Sequence, residues 1–172
     1  MASKSKDIYA QFAALNVEEA VANAGVYVKF AFPFSIMDKM ALLINRIEYI
    51  LRANSAYNSS GDSMVAGISV GTNLADVEDV TNPLIVDSVK RTRIDQGTPA
   101  TCLYLTDPFI KDFSDLPGGG ILIAPNPLYA FVKGAGLGAV AACGIRLYYT
   151  YRELGTDEYW QLVESRRVIT SS

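Results

Sequence analysis

The sequence predicts an all-β chain, an antiparallel two-sheet sandwich of jelly-roll type with one short C-terminal helix. Three observations carry this expectation. Seven or eight segments either alternate apolar with polar residues or are rich in β-branched and aromatic residues, and they recur at fairly even spacing. Residues 106–127 gather Pro108, Pro117, Pro125, Pro127 and Gly118-Gly119-Gly120 around the apolar run Ile121-Leu122-Ile123. Proline fixes φ and removes a backbone donor, while glycine reaches angles closed to other residues, so this stretch shapes a crossing between sheets rather than a helix. Finally, only the text after Gly155 reads as a helix docked on a sheet. An immunoglobulin-like sandwich is the second architecture this count allows. No repeat with a period of about 20–50 residues is present, which excludes solenoids and propellers.

Taken in order, residues 1–24 are small, polar and alanine-rich and read as a partly ordered N-terminal arm, with a short helical turn over 17–24 as an alternative. The domain proper is expected to span 25–172. Its first strand, 25–32, is β-branched and aromatic and stops at Pro33. Residues 41–51 satisfy both a helical and a strand period. Ile44, Ile47 and Ile50, with Arg46 and Glu48 on one parity, favour a strand that puts Leu43, Asn45, Ile47, Tyr49 and Leu51 on one face. Residues 53–62 form a polar loop, in which Asn58-Ser59-Ser60 matches a glycosylation sequon but reads as surface loop. Met64, Ala66, Ile68 and Val70 share a face of the next strand, and 72–82 is an acidic, turn-rich connection. Residues 84–94 form a strand carrying Lys90, Arg91 and Arg93, followed by a turn at 95–99 and a strand at 101–105.

Within the long loop a brief strand is expected at 121–124, then strands at 128–132 and 139–151 separated by the small-residue turn 134–138. In 139–151 the residues Ala141, Cys143, Ile145, Leu147, Tyr149 and Tyr151 share one face, opposite Arg146, Thr150 and Arg152. Gly155 ends it. Thr156 is the expected cap of the helix, with Asp157 and Glu158 at its positive end and Arg166 and Arg167 near its negative end. Tyr159, Trp160, Leu162 and Val163 are expected to dock it.

Composition removes several classes of chemistry. The chain has 172 residues, half of them apolar and 19% charged, which suits one domain with a core. Its net charge of −3 is opposite to that of a dedicated nucleic-acid binder. There is no histidine, so Ser-His-Asp and Cys-His nucleophile pairs and most zinc sites are excluded. Cys102 and Cys143 sit in apolar text and read as buried free thiols rather than a disulfide. No signal-peptide core and no run near ~18 apolar residues is present, so synthesis in the cytosol and no transmembrane segment are expected.

Four motifs are weighed against plainer readings. Residues 134–139 satisfy G-x-G-x-x-A, but strand text follows where a dinucleotide site needs a helix, so a hairpin turn is expected. Gly118-Gly119-Gly120 lacks the Lys-Ser/Thr of a phosphate loop. Asp107, Asp112 and Asp115 flank Lys111; paired carboxylates serve glycoside hydrolysis or bind calcium, while Asp-Pro and Ser-Asp also form turns. Turn or interface polarity is the preferred reading. Lys90, Arg91, Arg93, Arg46, Arg146 and Arg152 can form a basic patch, extended by Arg166 and Arg167, with a solvated face or subunit salt bridges preferred over nucleic acid.

A strand-rich single domain carrying DPFIKDFSDLPGGGILIAPNPLYAFV and closing with RLYYTYRELGTDEYWQLVESRRV resembles the single jelly-roll coat proteins of small icosahedral viruses, including environmental viruses and tailless viruses of bacteria and archaea. The resemblance covers roughly residues 25–168 and rests on length, strand order, the loop and the terminal strand-plus-helix. It implies a subunit that is made in the host cytoplasm, packs with copies of itself into capsomers and a virion shell, and has no active site and no cofactor. One departure is that the arm offers only Lys4 and Lys6 against Asp7, Glu18 and Glu19. So few charges condense no genome, which implies a second capsid protein, a scaffold or an internal membrane beneath the shell. Ten tyrosines in one domain agree with interface use. The interface candidates are Phe109, Lys111, Asp112, Asp115, Tyr148, Tyr149, Tyr151, Tyr159, Trp160, Arg166 and Arg167. The alternative is a non-catalytic carbohydrate-binding or adhesin-like sandwich module.

Overall fold

The computed structural model describes residues 11–32, 39–53, 59–72, 77, 81–93, 108–124 and 127–170. Nine strands and one helix follow in chain order: β1 (Gln11–Glu18), β2 (Val26–Lys29), β3 (Met40–Ala53), β4 (Ser63–Ser69), β5 (Ile85–Thr92), β6 (Phe109–Asp112), β7 (Ile121–Ile123), β8 (Tyr129–Ala135), β9 (Ala141–Glu153) and α1 (Thr156–Thr170). The strand expected at 101–105 lies outside the described residues.

The pairing defines a jelly roll. β1 pairs with β9, β2 with β8, β3 with β6 and β7, and β4 with β5, all antiparallel. These nested pairs are those of one long hairpin. Rolling it up brings β9 against β3 and β8 against β4. Two sheets result: sheet A in the order β1-β9-β3-β6, with β7 also on β3, and sheet B in the order β2-β8-β4-β5. The expected architecture is the observed one.

Period two explains the core. Ala141, Cys143, Ile145, Leu147 and Tyr149 of β9 all face inward, as their parity predicts, while Arg146 and Arg152 face out. They meet Met64, Ala66 and Ile68 of β4 and Ala130 and Val132 of β8 in one continuous cluster. Burial of the Cys143 thiol pushes its pKa up to about 12, and the thiol is free.

β3 departs from its expected phase. Leu42 and Ile44 are inward at its start, but Ile47, Tyr49 and Leu51 are inward beyond it. A bulge between Ile44 and Arg46 inserts Asn45 and switches the parity. The bulge also organises the opposite edge. β6 pairs with residues 46–49 and β7 with residues 42–44, so the two are one edge strand interrupted by the excursion 113–120. Phe113 N donates to Asn45 O at 2.7 Å, and Asn45 Nδ2 donates to Gly119 O at 2.6 Å. Gly120 passes against the Ile44 carbonyl, where a Cβ has no room. The loop text at 106–127 thus hides a strand, because Phe109–Asp112 is a strand through its pairing with the distant β3.

Residues 11–18, assigned to the arm from sequence, form β1. Its inward residues Ala13, Leu15 and Val17 pack on the core. The chain then turns on Glu19, whose buried carboxylate accepts four backbone N–H groups. Oε1 takes Gly25 and Gly134 at 2.9 Å each, and Oε2 takes Ala141 at 3.0 Å and Asn23 at 3.2 Å. Asn23 completes the joint, exchanging hydrogen bonds with the backbone of Leu137 at 2.9 Å in both directions. The glycine-rich text at 134–138 is the turn this joint holds.

The expected short C-terminal helix is α1, and its cap sits one residue earlier than expected. Tyr159 N donates to Gly155 O, which makes Gly155 the cap residue, and Glu158 reaches back to Gly155 N at 3.1 Å. The Thr156 hydroxyl instead accepts Lys39 Nζ at 2.7 Å.

Candidate functional site

The two outer faces of the sandwich differ. On sheet B, Val65 and Phe131 are covered by Val77 and Leu84 from the β4–β5 connection, by Ile85 at the start of β5 and by Tyr27. Phe131 is fully buried, and Gly67 leaves room for its ring, since a Cβ there meets Phe131 Cζ at 2.6 Å.

On sheet A the outward residues of β1, β9 and β3 lie side by side in register. Phe12 stands opposite Tyr148, Tyr148 opposite Arg46, and Arg146 opposite Glu48. Phe12 is 64% exposed, with its ring 6.4 Å from that of Tyr148. The Arg146 guanidinium lies 5.5 Å from the Phe12 ring centre, and that of Arg46 lies 5.5 Å from Tyr148. Glu48 ties the lattice: it accepts Arg46 Nη2 at 2.5 Å, lies 3.8 Å from Arg146 Nη1 and accepts the Tyr148 hydroxyl at 3.4 Å. The Arg146 hydrogen bond to Tyr148, the main cause, holds the guanidinium pKa above its ordinary value. Among the described residues, the buried Arg46 Nε has no hydrogen-bond partner. Beside this lattice runs a shallow open groove of about 320 Å³ lined by Asn16, Glu48, Ile50, Arg52, Gly144 and Arg146. Exposed Ile50 and Ile110 extend the apolar surface.

The other candidates scatter. Phe109 and Lys111 sit at the open edge between the sheets. Lys111 Nζ donates to Asp87 Oδ1 at 2.8 Å and Ser88 O at 2.7 Å, and Arg91 lies 5.3 Å from the Phe109 ring. Asp87 also accepts the hydroxyl of Tyr49 at 2.8 Å. Burial first, and Asp87 second, raise the Tyr49 pKa well above the usual phenol range. Asp112 is a turn former: it accepts Ser114 N at 2.9 Å and Ser114 Oγ at 2.6 Å, and these bonds lower its pKa. Asp115 is exposed, and Asp107 lies outside the described residues. Among the described residues no group of three acidic or cysteine side chains is placed to hold a metal ion.

Tyr149 and Tyr159 are buried within the subunit. Tyr149 and Tyr151 share a hydroxyl contact at 3.2 Å. Burial, then that contact, raises the Tyr151 pKa. Trp160 is half exposed, edge-on to Tyr159 at 6.2 Å. Arg166 and Arg167 lie in the last turns of α1, and their side chains fall outside the described residues. The basic residues divide between the faces: Arg46, Arg146 and Arg152 lie on sheet A, and Lys90 and Arg91 lie on β5 of sheet B.

Of the candidates, only Tyr148 belongs to the exposed lattice. Phe12 was missed because 1–24 reads as an arm, although its neighbour text QFAALNV alternates. No protein-family model and no curated protein matches the chain.

Proposed function

We propose that this chain is the major coat subunit of an icosahedral virion, a structural protein that assembles with copies of itself and performs no catalysis. The observation that carries this is the open outer face of sheet A on a jelly-roll scaffold. Viral coats are among the proteins built on this scaffold. Exposed aromatic rings flanked by guanidinium groups match the composition of interface cores, where Tyr, Phe and Arg are enriched. Phe12, Tyr148, Ile50 and Ile110 supply the apolar contact, and Arg46, Arg146 and Glu48 supply its polar frame. Trp160 on α1 offers a second contact. With Lys4 and Lys6 as the arm's only cations, a second capsid protein, a scaffold or an internal membrane lies between shell and genome.

Mass photometry with negative-stain microscopy, across salt and pH, tests the proposal. Closed shells or stable capsomers are expected. A protein that stays monomeric under every condition overturns self-driven assembly. The second reading is a carbohydrate-binding module. The open groove favours it, since Asn16, Arg52 and Arg146 give it a polar lining and the Arg146 guanidinium lies 5.5 Å from the exposed Phe12 ring. Binding in a glycan screen by monomeric protein selects that reading.

A further inference from the structure

The four strand edges of the sandwich are finished unequally. Among the described residues, β1 lies at the end of sheet A with only β9 beside it. It pairs with β9 without interruption from Gln11 to Glu18. Its sequence, QFAALNVE, contains no proline, no lysine and no glycine, and its only charge is terminal Glu18. Natural sheets blunt exposed edges with short strands, bulges, prolines or charges. The other edges show these devices. β2 has four residues and ends in Lys29. β5 carries Lys90 and Arg91 and faces a register shift at Ile68/Ser69. The β6–β7 edge is broken by 113–120 and tied across to Asp87 by Lys111. β1 alone has none.

The hydrogen-bond phase of β1 is also determined. Glu19 N donates to Ala141 O at 2.9 Å, the residue opposite it when the register is continued, so the backbone N–H of residue 19 points to β9. Because antiparallel pairs alternate, odd residues of β1 turn their backbone groups to β9. The N–H and C=O groups of Phe12, Ala14, Asn16 and Glu18 therefore point to the free edge.

Resting on the self-assembly reading, we infer that β1 is a strand-addition surface whose partner is β1 of a second copy, antiparallel across a two-fold axis. Self-pairing must oppose residues of equal parity, because only then do both sheets keep Ala13, Leu15 and Val17 on the inner side. Centred on Ala14, this sets Ala14 against Ala14 and Phe12 against Asn16. Among the described residues nothing pairs with the backbone groups of those residues, so every outward N–H between 12 and 16 meets an outward C=O. No like charges are opposed there, and the small Ala14 side chains leave the centre uncrowded. Two β1 strands then fuse two A sheets into one continuous sheet, and their Phe12–Tyr148 lattices come to lie along one surface.

Hydrogen exchange and sedimentation on the full chain test this across micromolar concentrations, with wild type and two variants. Ala14→Pro removes a donor on the free edge and none to β9, the one place in a sheet where proline is tolerated. Asn16→Lys adds an edge charge and keeps every backbone donor. Thermal melts establish that each variant is folded. The expected result is a dimer whose Phe12, Ala14 and Asn16 amides gain at least about ten-fold protection on association. Ala14→Pro is expected to abolish the dimer and Asn16→Lys to weaken it. Oligomers in which these three amides exchange as fast as in the monomer, with folded Ala14→Pro assembling like wild type, overturn strand addition and leave the coat reading standing. A dimer with protected amides that never enters larger assemblies supports strand addition and overturns the coat reading. A monomer at every concentration overturns both.

Discussion

The two outer faces of this sandwich both carry aromatic and aliphatic side chains and treat them in opposite ways. On sheet B the chain covers its own surface: Phe131 and Val65 are sealed by Val77 and Leu84 from the connection between β4 and β5. On sheet A, Phe12, Ile50 and Ile110 remain exposed, and Arg46, Arg146, Glu48 and Tyr148 fix a rigid frame around Phe12. A folded chain gains nothing from the open face that the sealed one does not give it better. The difference separates residues that stabilise the subunit from residues available to a partner.

Substitutions on the two faces should therefore fail in different assays. Phe131→Ala empties a fully enclosed site and is expected to cost about 3–5 kcal/mol in denaturant unfolding, with any assembly defect following from unfolding. Next comes the joint between β1 and the turn of residues 134–138. Glu19→Ala strands four backbone donors, those of Gly134 and Ala141 fully buried, and is expected to cost about 3 kcal/mol, since each unsatisfied buried group costs about 1–3 kcal/mol. An equal loss from Glu19→Gln, whose amide oxygen keeps part of the set, would show that the charge rather than the acceptor count matters.

A smaller effect is expected from pH. Tyr49 and Cys143 are both held above their ordinary pKa, chiefly by burial. Each is neutral in the folded subunit and ionises more readily in the unfolded chain. Their contribution is complete below the unfolded values, near 9 for the thiol and 10 for the phenol. It is lost as pH rises from there. Melting temperature should fall above pH about 9, and Cys143→Val should remove the part beginning there while leaving the tyrosine part. The thiol should react with a disulfide reagent only after unfolding. A melting temperature flat to pH 11 would show that these groups are hydrated in the folded state.

The smallest stability change is expected on the open face. Phe12→Ser should alter unfolding by no more than about 0.5 kcal/mol, yet weaken self-association. A large stability loss there would mean that Phe12 belongs to the subunit's own core, and the contrast between the faces would vanish.

Much of this fold follows from residue order alone. Alternation over 139–151 assigned the inward face of β9 residue by residue, because a long strand buried on one side has no other way to place Ala141, Cys143, Ile145, Leu147 and Tyr149. β-branched text marked β3, proline and glycine marked the shaped loop with its brief strand β7 but not β6, and the two-sheet architecture followed from the number and spacing of such segments. Tertiary structure alone decided the remainder. The parity of β3 changes at Asn45 because a loop 74 residues away hydrogen-bonds to its backbone and side chain. β1 is a strand because β9 offers a complete partner for it; its short alternation, set in small, polar, alanine-rich text, reads as an arm by itself. Glu19, a surface residue by type, is buried because the roll brings Gly25, Gly134 and Ala141 within reach of one carboxylate. The candidate face was only partly legible for the same reason: Tyr148 announced itself by its strand, whereas Phe12, Arg46, Glu48 and Arg146 become neighbours only when β1, β3 and β9 lie side by side. Periodicity records which side of a strand meets water or core, and pairing between distant strands determines which residues share that side.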